Sequence, residues 1–165
     1  MKILLTNDFY EDFGGAGQVF NNTALLLEKH GHQVIKFVIV EGKISEENNL
    51  FCFVKPKKRL SLWLTKFFNF RLFIKVYLLF KREKPDVVHC HSNYLSPLSI
   101  ILAAKFQKIP VVQTLHDFNL ACMSSWGVRK DKNATCLKVA GLRCLKNKCV
   151  SRGEFLRNFF AWGVR

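Results

Sequence analysis

Residues 1–17 read MKILLTNDFYEDFGGAG and contain the signals that decide the fold. The apolar run Ile3–Leu5 predicts a buried β-strand, and the polar residues after it predict a loop. Gly14 and Gly15 then precede apolar residues spaced three and four apart, which is the spacing of a helix with one buried face. These apolar positions are Ala16, Val19, Phe20, Ala24 and Leu27. A strand, a glycine-containing turn and a helix in this order predict the first unit of a parallel α/β sheet.

The turn between this strand and this helix is suited to an anion. Glycine lets the backbone N–H groups approach a ligand closely, and a helix N-terminus adds partial positive charge. We therefore expect Gly14, Gly15 and Ala16 to form a loop for a phosphate or diphosphate, with a tight turn that binds nothing as the alternative. NAD binding is not expected, because Phe20 stands where the G-x-G-x-x-G pattern needs a third small residue.

The composition indicates a globular chain with an anionic partner. The 165 residues allow one domain with a real core, and 49% hydrophobic residues exclude global disorder. The formal net charge is +14 and comes from two segments: residues 55–84 hold ten basic and one acidic side chain, and residues 129–165 hold ten and two. Such asymmetry indicates a membrane surface or a nucleic acid as partner. The N-terminus lacks the pattern of a signal peptide, so we expect a cytoplasmic protein.

The rest of the chain alternates between strand and helix patterns. Strands are predicted at Lys2–Thr6, Gln33–Val40, Leu50–Val54, Asp86–Cys90 and Val111–Leu115. Helices are predicted at Gly15–His30, at Ser61–Arg82 and from Pro97 to near Lys108. Strands buried on both faces that alternate with helices predict a doubly wound, mostly parallel α/β sheet, which we assign to a single domain, 1–165.

Polar residues follow three of these strands, at the carboxyl edge where such sheets bind ligands. For a single histidine, a satisfied structural role is the alternative. Three polar groups at one edge exceed what turns require, so we predict a site there. Its candidate residues are Asn7, Asp8, His89, His91, Ser92, Asn93, His116 and Asp117.

Three motifs in this order resemble glycosyltransferase family 4, whose members transfer sugar from a nucleotide donor with retention. They are residues 1–34, residues 84–118, which read KPDVVHCHSNYLSPLSIILAAKFQKIPVVQTLHDF, and the cysteine-bearing tail after them. The resemblance implies a Rossmann-like N-terminal half of a GT-B fold that mainly binds the acceptor. It covers nearly the whole chain but only the first half of such an enzyme.

The resemblance also implies roles for individual residues. Gly14, Gly15 and Ala16 would face the donor diphosphate across the cleft between two domains, and His116 would lie near the donor sugar as the catalytic group. The residues that would line the cleft on the acceptor side are Asn7, Asp8, His91, Ser92, Asn93 and Asp117.

The implied partners are a nucleotide-sugar donor and a glycan or lipid-linked acceptor, with no cofactor required for catalysis. The family's paired glutamates and Arg/Lys clamp belong to a second domain, and the sequence ends at Arg165 before any of these. We therefore expect a truncated product, or a half that needs a partner chain, with no turnover alone. The alternative is a non-catalytic module for a membrane or an anionic glycan. Nucleic acid is not expected, because no zinc finger, RNP or helix-turn-helix pattern is present.

The basic segment Lys55–Lys84 combines cations with aromatic residues, a composition typical of helices in a membrane interface. Lys66, Arg71 and Lys75 interrupt its apolar run, so it is not expected to span a bilayer. We expect it to dock on an anionic membrane, which would give a peripheral position on the inner face of the plasma membrane. A core helix with a solvated basic face is the alternative.

Residues 118–152 form a predicted cysteine-rich loop that is long for a compact domain. Cys122, Cys136, Cys144 and Cys149 are expected to cluster and hold it. A structural zinc site, disulfides and unlinked thiols all remain open, because only the last pair has a typical zinc-ligand spacing. Similar loops in some relatives imply a structural role. The other two cysteines, Cys52 and Cys90, lie in predicted strands and are expected to be buried thiols.

Overall fold

The computed structural model describes residues 1–8, 14–40, 49–54, 68–91, 97–118, 122, 124, 127–129, 134–136, 141–153 and 155. The chain divides into two compact units, Met1–Thr114 and Leu115–Arg165. Within the described ranges, none of the helices combines the length and the apolar composition needed to cross a bilayer.

A five-stranded sheet forms the centre of the first unit. Its strands are β1 (Lys2–Asn7), β2 (Gln33–Val40), β3 (Leu50–Val54), β4 (Val87–Cys90) and β5 (Val111–Gln113). All neighbours pair in parallel, in the order β3-β2-β1-β4-β5. The predicted doubly wound α/β sheet is therefore confirmed. The strand order reverses between β1 and β4, and a crevice at such a switch point is where ligands bind in open α/β sheets.

Helices cover both faces of the sheet, because alternate residues of the buried strands point to opposite sides. One core lies under α1 (Gly14–Lys29) and joins Phe20 and Ala24 to strand residues that include Ile3 and Leu5. The other lies under α2 (Phe70–Glu83) and α3 (Pro97–Phe106), and it includes Leu4. The first unit is thus a three-layer sandwich.

The ends of the helices have local causes. After α1, Gly31 has φ 78°, a left-handed conformation that glycine adopts without strain. The predicted helix Ser61–Arg82 is interrupted, because Phe68 and Asn69 are not helical and precede α2. Its residues 61–67 lie outside the described residues. The Asn69 side chain accepts a hydrogen bond from the Leu72 N–H at 3.1 Å and so caps the helix. Ser99 of α3 accepts the Asn69 N–H at 2.8 Å and fixes this cap.

The last strand differs from its prediction in length and burial. β5 ends at Gln113 rather than Leu115, and all three of its residues are exposed, Val112 by 50%. An interior strand of a parallel sheet is covered on both faces, whereas β5 is an edge strand that pairs only with β4. The apolar run predicted a buried strand, but β5 is a partly solvated edge strand.

The second unit contains little regular structure in its described residues. β6 (Val128–Arg129) and β7 (Ala134–Thr135) pair antiparallel, and α4 (Arg143–Lys146) is a single turn. Gly127, with φ 66°, leads into β6, and a Cβ there would lie 3.0 Å from the Phe118 ring. The cysteine-rich loop therefore contains short elements that the sequence prediction missed, since two-residue strands are too short to show an alternating pattern.

Candidate functional site

The carboxyl end of β1 places three polar side chains in the interior of the first unit. Thr6, Asn7 and Asp8 are all buried, and Asp8 is only 2% exposed. Across the switch point, His91 follows β4 and is 1% exposed. Burying such polar groups costs free energy unless they are hydrogen-bonded. This edge is therefore a built polar cluster rather than a set of solvated turns.

Three hydrogen bonds tie the strand ends together. The His91 N–H donates to the Thr6 carbonyl of β1 at 2.9 Å. From the other side, Gln113 Nε2 donates to the His91 carbonyl at 2.7 Å, and the Thr114 N–H donates to the Cys90 carbonyl at 2.8 Å. The backbone at His91 is thus held by both β1 and β5, which fixes the point where the chain leaves β4.

A row of side-chain contacts runs along the same edge, on the α1 side of the sheet. The Phe20 ring meets the His91 ring edge to face, with centroids 5.5 Å apart. The His91 and His89 rings are 4.5 Å apart, and His89 Nε2 lies 2.7 Å from Thr114 Oγ1. Phe20 and His91 are buried, whereas His89 and Thr114 are half-buried. The row therefore leads from the core to a partly exposed pair.

At the N-terminus of α1, the second residue of the helix is surrounded by open space. A Cβ added at Gly15 would meet no atom within 4 Å, so no packing contact requires glycine there. Glycine in a helix costs roughly 0.5–1 kcal/mol relative to alanine. The open space and the N–H groups of the first turn suit an oxygen-rich ligand.

The chemistry of this edge favours hydroxyl groups. This edge combines histidine, threonine and glutamine side chains with a carboxylate, so it offers both hydrogen-bond donors and acceptors. Such a set suits the hydroxyl groups of a ligand, because a hydroxyl both donates and accepts hydrogen bonds. None of the described residues of this edge is a lysine or an arginine: Thr6, Asn7, Asp8, Gly14, Gly15, His89, His91, Gln113 and Thr114. Within this part of the chain, the only cationic character comes from the helix N-terminus.

The family model of Glycosyltransferase Family 4 matches residues 13–152. The chain belongs to glycosyltransferase family 4. Among solved structures, UDP-GlcNAc 2-epimerase from Methanocaldococcus jannaschii is similar at 17% identity and a TM-score of 0.46, over 99% of this chain. The chain spans 36% of the length of that protein. No curated protein sequence matches the chain.

Membership of glycosyltransferase family 4 confirms the resemblance carried by the three motifs. The structure brings three of the predicted site residues, Asn7, Asp8 and His91, to one edge of the sheet, and α1 starts at Gly14. The predicted Ser92 and Asn93 lie outside the described residues. His116 and Asp117 belong to the second unit, where both are half-buried. Burial lowers the pKa of His116 below the ordinary 6.5.

All six cysteines lie in the described part of the chain and are thiols without a disulfide. Cys52 and Cys90 are buried in β3 and β4, as predicted. The Cys149 N–H donates to the Cys144 carbonyl at 2.9 Å, and Cys144 packs against Val150 and Phe155. No group of three or more His, Cys, Asp or Glu side chains among the described residues could hold a metal ion. The disulfide alternative is wrong in this structure, and the zinc site stays a prediction.

Sequence reasoning missed Gln113, Thr114 and the contact of Phe20 with His91. A signal for the first two was present, because Gln113 and Thr114 are the first polar residues after the apolar pair Val111 and Val112. Their partners depend on the pairing of Cys90 with Gln113 across β4 and β5, a register that the sequence pattern does not specify.

Proposed function

We propose that this chain is the acceptor-binding half of a retaining, nucleotide-sugar-dependent glycosyltransferase that acts in glycan or glycolipid assembly. The observation that carries the proposal is the convergence of polar residues from β1, β4 and β5 at the switch point, tied together through the His91 backbone. Membership of glycosyltransferase family 4 supports the reaction class.

Two sets of residues would have different tasks in this site. The half-buried His89 and Thr114 would contact acceptor hydroxyls, because both are partly exposed to solvent. The buried Asp8 and His91 would hold the strand ends in a fixed position behind them. A site whose polar groups are fixed before binding loses less conformational entropy when the ligand arrives.

The donor would need groups beyond those described at this edge. The α1 N-terminus at Gly14, Gly15 and Ala16 would face the diphosphate, and His116 would approach the donor sugar. A leaving nucleotide diphosphate needs cationic stabilisation, and the described edge residues include no lysine or arginine. As the family resemblance implies, the donor clamp would be supplied by a second domain, and we propose that these 165 residues alone do not transfer sugar. In a reconstituted enzyme, His116→Ala would lower activity about 100-fold.

Binding of simple acceptor analogues tests the acceptor role. Saturation-transfer NMR with methyl glycosides of glucose, galactose, mannose and N-acetylglucosamine should show binding of at least one of them. Thr114→Val removes the hydroxyl next to His89 while keeping its shape, so we expect affinity to fall about tenfold. Loss of the contact with His89 should lower the free energy of unfolding by only about 1 kcal/mol. Thr23→Val, a half-buried position in α1, is the matched control and should leave affinity unchanged.

Two outcomes would contradict the proposal. If none of the four glycosides binds, or if Thr114→Val and Thr23→Val have equal effects, the edge is not the acceptor site. Sugar transfer from UDP-glucose, UDP-N-acetylglucosamine or GDP-mannose by the 165 residues alone would contradict the proposed lack of activity.

An anionic membrane surface is the second part of the proposal, because it would bring a lipid-linked acceptor to this site. In the basic segment, residues 55–67 lie outside the described residues, whereas α2 is described completely. The exposed side of α2 carries large apolar residues beside cations, which supports docking in a membrane interface. A non-catalytic membrane-binding module would share this surface but would not bind the glycosides.

A further inference from the structure

The turn after α4 joins two cysteines of the second unit through their backbones. α4 ends at Lys146, and Lys148 follows with φ 52°, a left-handed conformation. The Lys148 N–H donates to the Leu145 carbonyl at 3.0 Å, and the Cys149 N–H donates to the Cys144 carbonyl at 2.9 Å. These two bonds around a left-handed residue are those of a Schellman motif, which closes the C-terminus of a helix.

The hydrogen bond between the two cysteines limits how far apart they can lie. Its 2.9 Å length and the fixed lengths of backbone bonds keep the Cα atoms of Cys144 and Cys149 less than about 7 Å apart. Disulfides usually join Cα atoms that are roughly 4.4–6.8 Å apart. In a Schellman motif, the side chains at these two positions frequently contact each other. The turn therefore holds the two cysteines at a separation that a disulfide can span.

The two side chains of this pair are thiols that differ in exposure. Cys144 is half-buried and packs against Val150 and Phe155, whereas Cys149 is only 6% exposed. The Cys149 thiol donates to the Asn147 carbonyl at 3.7 Å, a weak contact because sulfur is a poor hydrogen-bond donor. A reagent from solvent therefore reaches Cys144 more readily than Cys149.

The chain around this pair is cationic. Residues 141–153 contain no acidic side chain, and their basic side chains are all exposed: Arg143, Lys146, Lys148 and Arg152. Exposed cations attract anionic reagents and raise the rate at which they are encountered. Glutathione disulfide is an anion, so the surroundings of the pair favour its approach.

The cysteines of the sheet provide an internal comparison. Cys52 lies in β3 and Cys90 in β4, and the strands β2 and β1 lie between them. At about 4.8 Å from strand to strand, the two residues are roughly 14 Å apart, so no disulfide can join them. Both are buried thiols, as Cys149 is, but neither has the other within reach.

We propose that Cys144 and Cys149 form a redox-modification site, which glutathione disulfide converts from two thiols into a reversible disulfide. The Cys144 thiolate attacks one sulfur of glutathione disulfide, releases one glutathione thiolate and is left as a mixed disulfide. The Cys149 thiolate then attacks the Cys144 sulfur, forms the Cys144–Cys149 bond and releases the second glutathione thiolate. The two cysteines are oxidised and glutathione disulfide is reduced, and the two thiol protons pass to the released thiolates.

Peptide mapping of the full chain tests the proposal. The chain would be equilibrated with glutathione and glutathione disulfide at several ratios, quenched in acid, alkylated and digested for mass spectrometry. We expect the Cys144–Cys149 disulfide as the main intramolecular product, with Cys52 and Cys90 still thiols. In Cys149→Ser, Cys144 should stop at the mixed disulfide with glutathione. In Cys144→Ser, Cys149 should be modified about tenfold more slowly than Cys144 is in Cys149→Ser, because it is buried.

Two variants of Lys148 test whether the turn positions the pair. Lys148→Gly keeps the left-handed conformation without strain, and disulfide closure should be at least as fast as in the unaltered chain. Lys148→Val removes the same charge, but a β-branched residue disfavours positive φ, so closure from the mixed disulfide should slow about tenfold. The two variants have equal charge, so a difference between them reports the geometry of the turn.

Several results would overturn the proposal. Equal closure rates in Lys148→Gly and Lys148→Val would show that the turn does not position the pair. Disulfides spread without preference over Cys122, Cys136, Cys144 and Cys149 would show that the pair is not selected. Thiols that stay reduced at every glutathione ratio would leave the pair a packing role only. Protection of both thiols by zinc, reversed by a chelator, would assign them to the predicted metal site instead.

Discussion

The two ends of the same parallel sheet use polar residues in opposite ways. At the amino end, the Lys2 amine pairs with Glu83 at 2.7 Å, and the Lys2 N–H donates to Asp86 at 2.6 Å, both near the surface. At the carboxyl end, Asp8 and His91 are almost completely buried. The amino end is held by charges that solvent screens, whereas the carboxyl end is held by packing and by hydrogen bonds between strands.

This difference supports the proposed location of the site. Surface ion pairs contribute little to stability and are easily replaced, so the amino end carries few constraints. A buried polar cluster costs free energy to assemble, and its positions depend on one another. The carboxyl end is thus the part of the sheet whose arrangement would be hard to explain by stability alone.

The largest loss of stability is expected for a substitution in the packing that supports the carboxyl end of the sheet. Phe20→Ala removes a fully buried ring that contacts His91, and it should lower the free energy of unfolding by about 3–5 kcal/mol. Phe70→Ala, at an exposed ring of α2, is the matched control and should change it by about 0.5 kcal/mol or less. Urea unfolding measures both, and a loss under about 1 kcal/mol for Phe20→Ala would show that packing does not hold this end.

Gln113 tests the hydrogen bonds at the same end. Gln113→Ala leaves the His91 carbonyl without this donor and should cost about 1 kcal/mol. Gln113→Glu should cost more at neutral pH, because a carboxylate would face a carbonyl oxygen. Thermal unfolding of both variants at pH 7 is the measurement, and equal stability of Gln113→Glu and the unaltered chain would exclude this hydrogen bond.

At the amino end, Glu83→Gln should lower the free energy of unfolding by only about 0.5–1 kcal/mol at pH 7. The hydrogen bond from Lys2 is the main cause that holds the pKa of Glu83 below its ordinary 4.5. The contribution is therefore complete above pH 4.5 and is lost as the pH falls through the lower, folded-state pKa. Unfolding curves of both proteins across this range should converge in acid, and a constant difference would contradict the ion pair.

The smallest expected effect is the pH dependence of stability that comes from His116, in the second unit. Burial lowers its pKa below 6.5, so the unfolded chain takes up this proton more readily than the folded chain. Stability should therefore fall as the pH decreases from 6.5 to the folded-state pKa, with no contribution from this group above that range. An NMR titration of the His116 ring with a midpoint at or above 6.5 would contradict the burial.

Much of the fold could be predicted from local pattern. The strand β1 and the helix α1 followed from an apolar run and a period of three to four. The start of α2 could not be predicted in this way, because the amphipathic pattern continues upstream of Asn69. That cap depends on Ser99, thirty positions away in the sequence.

The candidate site likewise has residues that local pattern could predict and residues that it could not. Asn7, Asp8 and His91 could be predicted because they follow strands whose carboxyl ends meet at one edge. Their burial and the roles of Gln113 and Thr114 could not, since both depend on which residues face each other across β4 and β5. The exposure of β5 was not predicted for a related reason. The residues Val111–Gln113 do not show whether their strand lies at the edge of the sheet or in its interior.

Mapping the bound glycoside on the protein tests the central claim most directly. The backbone amide signals of the ¹⁵N-labelled chain would be followed during titration with the methyl glycoside that binds best. We predict shifts at Asp8, His89, His91 and Thr114 and none at Lys2, Glu83 or Asp86. Shifts confined to the amino end, or spread evenly over both ends, would contradict the assignment of the acceptor site to the carboxyl edge.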